Sequence, residues 1–350
     1  MSQINSHSLL IRAATMSDIG RLLEMSELVG SGMTSMPRDR DSWVEKISRS
    51  VDDFQLAEPR KSDDIYFMVM EDLSSGRIVG CCAVYTGVGM RSPFYSYKLS
   101  TLTSYSEKLD LTVHARILNL VNDFNGKTEI GSLFLLPEYR IDGIGKFLSR
   151  SRFLLLADFP TRFSETIFAE MRGWLDEDGN SPFWQHLGSK FFGISFAEAD
   201  LLNAVEGHQF ISDLMPKYPV YLDLLPSEAQ DSIGKEHVDT GGALHILNKE
   251  GFGFSGYVDI FDAGPTIESP LENIKTVSDS RELSLGAIVD EANIAAQQKF
   301  IISNCQLHNY RMIHAGVAVD QDGTEQITIS KQSAAILGVK PGDTIRIVEH

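Results

Sequence analysis

No stretch of the chain narrows its fold as much as Leu133-Phe134-Leu135-Leu136-Pro137-Glu138-Tyr139-Arg140-Ile141-Asp142-Gly143-Ile144-Gly145. An apolar, β-prone run ends at a proline, crosses a short loop and opens directly into residues 143–159, whose apolar spacing predicts a helix. Glycines at 143 and 145 let backbone N–H groups approach an anion, the helix start adds the positive end of its dipole, and Arg140 supplies a charge-assisted donor. Such a strand, loop and helix suit a pyrophosphate, although a glycine pair before a helix also serves plain turns.

Strand and helix signals alternate on either side of this stretch. Residues 9–12 read as a short strand, Thr15-Met16-Ser17-Asp18 as a capping box, and Ile19, Leu22, Leu23 and Leu28 recur at helical spacing. A second amphipathic helix carries Trp43, Val44, Ile47 and Val51 on one face. Residues 65–70 and 78–85, joined by Ser74-Ser75-Gly76, predict an antiparallel hairpin, and 94–102, 129–136 and 166–171 predict further strands. Beyond about residue 196 the pattern mixes helical stretches around Leu201 and Leu214, a Pro-rich segment at 215–225 and a helix at 243–250. From about residue 283, short strands at 284–289, 310–319 and 326–329 precede a helix at 333–337, the turn Lys340-Pro341-Gly342-Asp343 and a last strand at 344–348. The expected class is α+β, in three units: residues 1–195, an α/β unit at 196–275, and a small β-rich C-terminal module at 276–350.

Composition removes several classes of function. A net charge of -17 with no run of Lys or Arg is unsuited to a nucleic-acid backbone, yet it leaves room for one compact basic pocket and mildly attracts a cationic small substrate. The nine histidines and three cysteines show no zinc-site spacing, so no metal is expected. Cys81 and Cys82 are adjacent in an apolar run and, with Cys305, are too few for a disulfide framework; they read as inert core thiols of a reducing compartment. Residues 1–8 lack an apolar leader core, and no stretch nears the roughly 18 apolar residues that span a bilayer. A soluble, cytoplasmic chain without a membrane partner is expected.

The 133–145 stretch resembles the signature loop of the GNAT acyltransferase superfamily, in which Arg or Gln, two residues, Gly, one residue and Gly or Ala follow a strand with a Val-x-Pro-like end. That resemblance implies a strand splayed from its neighbour, with Leu133, Phe134 and Leu135 meeting the pantetheine arm of CoA and Arg140, Gly143 and Gly145 its diphosphate. Ser181-Pro182-Phe183-Trp184-Gln185-His186-Leu187-Gly188 is similar to a later superfamily helix, with one departure. Many members carry Tyr where Trp184 stands, and an indole N–H is too weak an acid to protonate a thiolate. Trp184 is therefore expected to pack, and the general acid to come from elsewhere.

Further stretches resemble the arginine N-succinyltransferase family over nearly the whole chain: Gly32-Met33-Thr34-Ser35-Met36-Pro37, Ala169-Glu170-Met171-Arg172-Gly173, Leu214-Met215-Pro216-Lys217-Tyr218-Pro219, Ile233-Gly234-Lys235-Glu236-His237, and Tyr257-Val258-Asp259-Ile260-Phe261-Asp262-Ala263-Gly264-Pro265. The resemblance implies a GNAT-like acyl-CoA N-acyltransferase fold and transfer of succinyl from succinyl-CoA to the α-amine of L-arginine, the first step of arginine breakdown. It implies succinyl-CoA as co-substrate with no permanently bound cofactor, His237 as the proton donor and Leu133 as a succinyl-CoA contact. An imidazole titrates near neutrality, so it can accept a proton from the attacking ammonium or hand one to the departing thiolate. Residues 243–252 loosely echo the superfamily's later helix, so a second GNAT-like unit and a chance likeness both stay open; His245 there is read as structural.

Arginine asks for a cation at its α-carboxylate and carboxylates at its guanidinium. Glu170 and Arg172 lie two apart and share a strand face, so they either bind substrate or pair with each other. Asp259 and Asp262 are further guanidinium candidates, and Thr34, Ser35 or Arg38 candidates for the succinyl carboxylate, a plain turn being the alternative there. Ornithine or another basic amine, or a non-catalytic subunit that assists an active relative, are the rival readings. The expected assembly is a homodimer or a pairing with a related subunit.

Overall fold

The computed structural model describes residues 8–29, 33, 35–141, 143–199, 202, 214–294, 298–319 and 326–349. Strand β1 (Leu9–Ala13) runs into a capped turn, where the Thr15 N–H donates to Asp18 Oδ2 at 2.8 Å and the Thr15 hydroxyl to the same oxygen at 3.0 Å. Helix α1 (Ile19–Glu27) follows, then α2 (Arg40–Gln55), whose cap Asp39 accepts from Ser42 N at 2.8 Å. Helix α2 buries Trp43, Ile47 and Phe54. Trp43 meets Phe67 edge-on at 5.4 Å, which seats the helix on β2 (Ile65–Asp72), antiparallel to β3 (Arg77–Tyr85).

The later elements are β4 (Ser96–Ser106), β5 (Leu111–Val121), β6 (Thr128–Leu135), α3 (Ile144–Asp158), β7 (Thr166–Glu170), β8 (Val220–Tyr221), β9 (Gly253–Val258) and β10 (Pro265–Pro270). The C-terminal region adds β11 (Arg281–Val289), β12 (Lys299–Ser303), β13 (Arg311–Gly316), β14 (Ala318–Val319), β15 (Gln326–Ser330) and β16 (Thr344–Glu349). Among the described residues these strands join in one sheet, in the order β14-β15-β11-β16-β12-β13-β1-β2-β3-β6-β7-β10-β9-β4-β5-β8. All pairings are antiparallel except β11 with β15 and β6 with β7.

That last pairing shapes the site. Strands β6 and β7 match only at Thr128↔Ile167 and Glu129↔Phe168, after which they part, while the other edge of β6 stays bonded to β3 as far as Leu135. The β3–β6 register slips between Cys81 and Ala83, and Ser132 sits in the slip with φ of +49°, a conformation that costs a non-glycine residue about 1–2 kcal/mol. Its hydroxyl lies 2.5 Å from the Tyr85 hydroxyl and its carbonyl takes the Cys81 thiol at 3.4 Å, which holds the bulge in place. The splayed parallel pair, with α3 following β6, is the GNAT-like arrangement that the sequence resemblance implied.

The β-rich C-terminal region is present as expected and joins the sheet where β13 pairs with β1 through Leu10↔Ile313. Helix α3 reaches it twice. Buried Asp158 accepts from Arg346 Nε at 2.8 Å, Ser303 Oγ at 2.6 Å and Tyr310 Oη at 2.5 Å, and Arg150 Nη1 donates to Glu349 O at 2.6 Å. Among the described residues no helix is long and apolar enough to cross a membrane.

Candidate active site

Where β6 leaves β7 a cleft of about 1110 Å³ opens, lined at one extreme by the start of α3 and at the other by the ends of β7 and β9. Gly143 caps α3 with φ of +79°, the left-handed conformation that favours glycine. Gly145 is different: an added Cβ would meet nothing nearer than Leu135 Cδ2 at 3.9 Å, so packing within the protein does not require glycine there. A ligand approaching the backbone closely would. The start of α3 brings the positive end of its dipole to this end of the cleft, which Gly143, Gly145 and Lys146 line. Arg140 is exposed, lies 5.8 Å over the Phe134 ring and donates from Nε to Leu135 O at 2.9 Å. Leu133, Phe134 and Leu135 line the middle along the parted stretch of β6, Leu133 half-buried and its two neighbours buried.

Carboxylates gather at the far end. Glu170 ends β7, and the loop after β9 folds back so that Asp259 Oδ1 accepts from Phe261 N at 2.7 Å and Asp262 N at 2.9 Å. Asp262 then clamps two close-packed glycines, accepting from Gly173 N at 2.7 Å and Gly264 N at 2.8 Å. Glu129, on β6, completes the group, and all four acids line the cleft. Burial pushes the Glu129 carboxyl up to about 7, against the pull of Lys46. Burial and then the charge of Asp262 push Asp259 to about 8. Glu170 is raised well above the usual carboxylate range by burial and then by Asp259, Glu129 and Asp262, and its Oε1 is buried with no hydrogen-bond partner. A cationic ligand would relieve each of these penalties. Arg172 lines the same end, and among the described residues no ion pair joins it to Glu170, so the two do not simply neutralise each other.

His237 sits beside this end. Its backbone N–H donates to Arg172 O at 2.8 Å, and Asp239 and Thr240, just after it, line the cleft, while His237 itself, with a side chain 16% exposed, is not among the lining residues. Its Nδ1 accepts the Asp239 backbone N–H at 3.2 Å, which leaves Nε2 to carry the proton of the neutral ring. Burial and then the charge of Arg172 hold the imidazole below its ordinary value, with Asp239 opposing.

Other sequence candidates fall outside this constellation. Trp184 is buried, donates from Nε1 to Ile194 O at 3.1 Å and stacks between Phe192 and Phe261, so it packs. Gly188 is glycine because a Cβ would strike the Trp184 ring at 2.2 Å. Cys81 and Cys82 are buried and burial raises both thiols, in keeping with inert core groups. Ser35 lines the cleft, exposed Arg38 turns its guanidinium to Val29 O at 3.4 Å, and Thr34 lies outside the described residues, as does Leu201. Sequence reasoning passed over Glu129 and Lys46. Glu129 is a charged residue inside an otherwise apolar strand, which is a usable signal, but Lys46 on α2 looks like any solvated helix position.

Comparison with known proteins gives one answer. A family model described as arginine N-succinyltransferase beta subunit matches residues 9–276, and one for the C-terminal domain of the same subunit matches residues 281–349. Arginine N-succinyltransferases from Escherichia coli and Shigella flexneri are each 36% identical over 343 residues, 97% of this chain and 97% of each relative. A solved structure described as arginine/ornithine succinyltransferase subunit AI from Pseudomonas aeruginosa superposes with a TM-score of 0.87 at 30% identity, covering 98% of this chain and 99% of that one. The chain belongs to the arginine N-succinyltransferase family.

Proposed function

We propose that the chain transfers a succinyl group from succinyl-CoA to the α-amine of L-arginine, giving N2-succinyl-L-arginine and CoA, at the entry to arginine catabolism in the cytoplasm. The observation that carries this reading is the parting of β6 from β7 over a cleft that connects a glycine-lined helix start to a cluster of carboxylates. Gly143, Gly145 and Arg140 take the diphosphate, and the free edge of Leu133, Phe134 and Leu135 takes the pantetheine arm, as an added strand would. Arg172 takes the arginine α-carboxylate, and Glu170 with its acidic neighbours takes the guanidinium. The α-amine attacks the thioester carbonyl, the backbone N–H groups of the parted strand stabilise the oxyanion, and the C–S bond breaks. His237 delivers its Nε2 proton to the leaving thiolate, and the positively charged nitrogen left by the attacking amine returns a proton to the ring, so the imidazole ends neutral.

Residues 1–195 hold the acyl-CoA, residues 196–275 bring His237, and residues 276–350 form a module outside the chemistry. The chain works as a homodimer or with a related subunit. Ornithine is the second reading, because the structural relative's description includes it and the acidic end suits an ammonium as well as a guanidinium. Mixing the isolated chain with succinyl-CoA and a panel of amines, then weighing the products, tests all of this. Succinyl-arginine as the main product supports the proposal, succinyl-ornithine moves it to the second reading, and no CoA release identifies a non-catalytic subunit.

A further inference from the structure

We infer that Lys46 receives the distal carboxylate of the acyl donor and so selects succinyl over an uncharged acyl group; this rests on the acyl-CoA reading above. Lys46 projects from α2 into the cleft wall opposite the diphosphate end. Its Nζ lies 5.1 Å from the Tyr85 ring centroid, 5.9 Å from Phe67 and 6.0 Å from Trp43, three rings whose faces attract a cation and offset part of the cost of burying it. It donates to Ser35 O at 2.5 Å, which uses one of its three N–H groups. Among the described residues no carboxylate lies within ion-pair distance of it. Glu129 is near enough to attract it without touching it.

The surroundings have the chemistry of a carboxylate subsite. The Ser132 hydroxyl, 2.5 Å from that of Tyr85, also reaches Ser35 O at 3.3 Å, so two hydroxyls and the ammonium converge on the β6 bulge. A thioester held by residues 133–135 would carry its acyl chain past this bulge, on toward the residues earlier in β6 that Lys46 faces. Burial lowers the ammonium to about 8, so it remains mostly charged at neutral pH, and the poorly screened site strengthens its pull on an anion. The arginine α-carboxylate has its own cation in Arg172 on the β7 side.

The test compares succinyl-CoA with butyryl-CoA, which has the same chain length and a methyl group where succinyl has its carboxylate. The wild type is expected to prefer succinyl-CoA. In Lys46→Met the ratio of kcat/KM values, succinyl over butyryl, is expected to fall about 10- to 100-fold, the loss of one charge-assisted contact, with most of the change in donor KM. Lys46→Arg is expected to keep part of the preference, and Lys46→Gln serves in place of Met if that variant melts early. An equal loss with both donors, or a rise confined to the KM for arginine, overturns the assignment. A wild type that turns over both donors without preference also overturns it, whereas a wild type that turns over neither removes the acyl-transfer reading itself.

Discussion

The imidazole of His237 takes the Asp239 N–H on Nδ1, which leaves its proton on Nε2, while burial and then the charge of Arg172 favour the neutral ring. Its lowered pKa puts the acid limb of kcat/KM below that of a free imidazole, with activity lost as pH falls through it. Asp239→Asn keeps the backbone N–H but removes the charge that opposes the shift, so a pH profile is expected to show the limb moved lower still. His237→Ala should cut kcat by about 10²- to 10⁴-fold in a steady-state assay with little change in KM for the acyl donor. The carboxylates have the opposite sign. Glu129 and Asp259, raised to about 7 and about 8, contribute stability that is complete below their unfolded values and lost as pH rises through the folded ones. Thermal melts are expected to show Tm falling from about pH 4, where the unfolded carboxyls ionise, to about pH 8, more shallowly in Asp259→Asn, and arginine should restore more Tm at the upper end, where ionised acids meet its charge.

The turn into α3 separates two uses of glycine. Gly143 has φ of +79°, so Gly143→Ala is expected to cost about 1–2 kcal/mol in a denaturant titration whether or not CoA is present. Gly145 has open space where a Cβ would go, so Gly145→Ala should keep or raise Tm through its helix propensity and yet raise the Kd for CoA at least about tenfold by calorimetry. If CoA affinity in Gly145→Ala matches the wild type, the diphosphate lies elsewhere. Residues 94–102 predicted a strand near β4, but β5 was passed over although Leu111, Val113, Ala115 and Ile117 alternate with Thr112, His114 and Arg116; the signal was present, and only the exposure of its first four residues on both faces sets β5 apart from a core strand. Strand β10 escaped for another reason: it begins at Pro265 and ends at Pro270, residues that read as breaks, although at the two ends of the strand they remove little of its pairing with β7 and β9.

Across the whole molecule the strands around the cleft and the C-terminal strands are tied by α3 as well as by the β1–β13 pairing. Asp158 is the densest of these connections, taking Arg346, Ser303, Tyr310 and the Cys305 thiol together. Asp158→Ala leaves Arg346 and two hydroxyls without their buried partner and is expected to cost about 3–5 kcal/mol, seen as a lower denaturation midpoint. Because these contacts join α3 to β12, β13 and β16, tryptophan fluorescence and far-UV signals should fall together in that variant.

Much of this was written in local pattern. The strand, loop and helix at 133–145, the cap before the first helix and the terminal strands at 284–289, 326–329 and 344–348 are governed by neighbours a few residues apart, so apolar period and turn chemistry were enough to find them, while β12 was passed over. Glu170, Arg172, Asp259 and Asp262 were legible as residue types, but their meeting depends on β10 placing the 259–264 loop against the end of β7, a pairing between segments about ninety residues apart. Lys46 shows the limit most clearly. On a helical wheel it is an ordinary polar position, and it becomes a half-buried cation ringed by aromatics only because α2 lies over β2 with Trp43, Phe67 and Tyr85 around it. Periodicity reports which face of an element is apolar; which charge another element turns into a shared cleft follows from packing, where burial and distance act together.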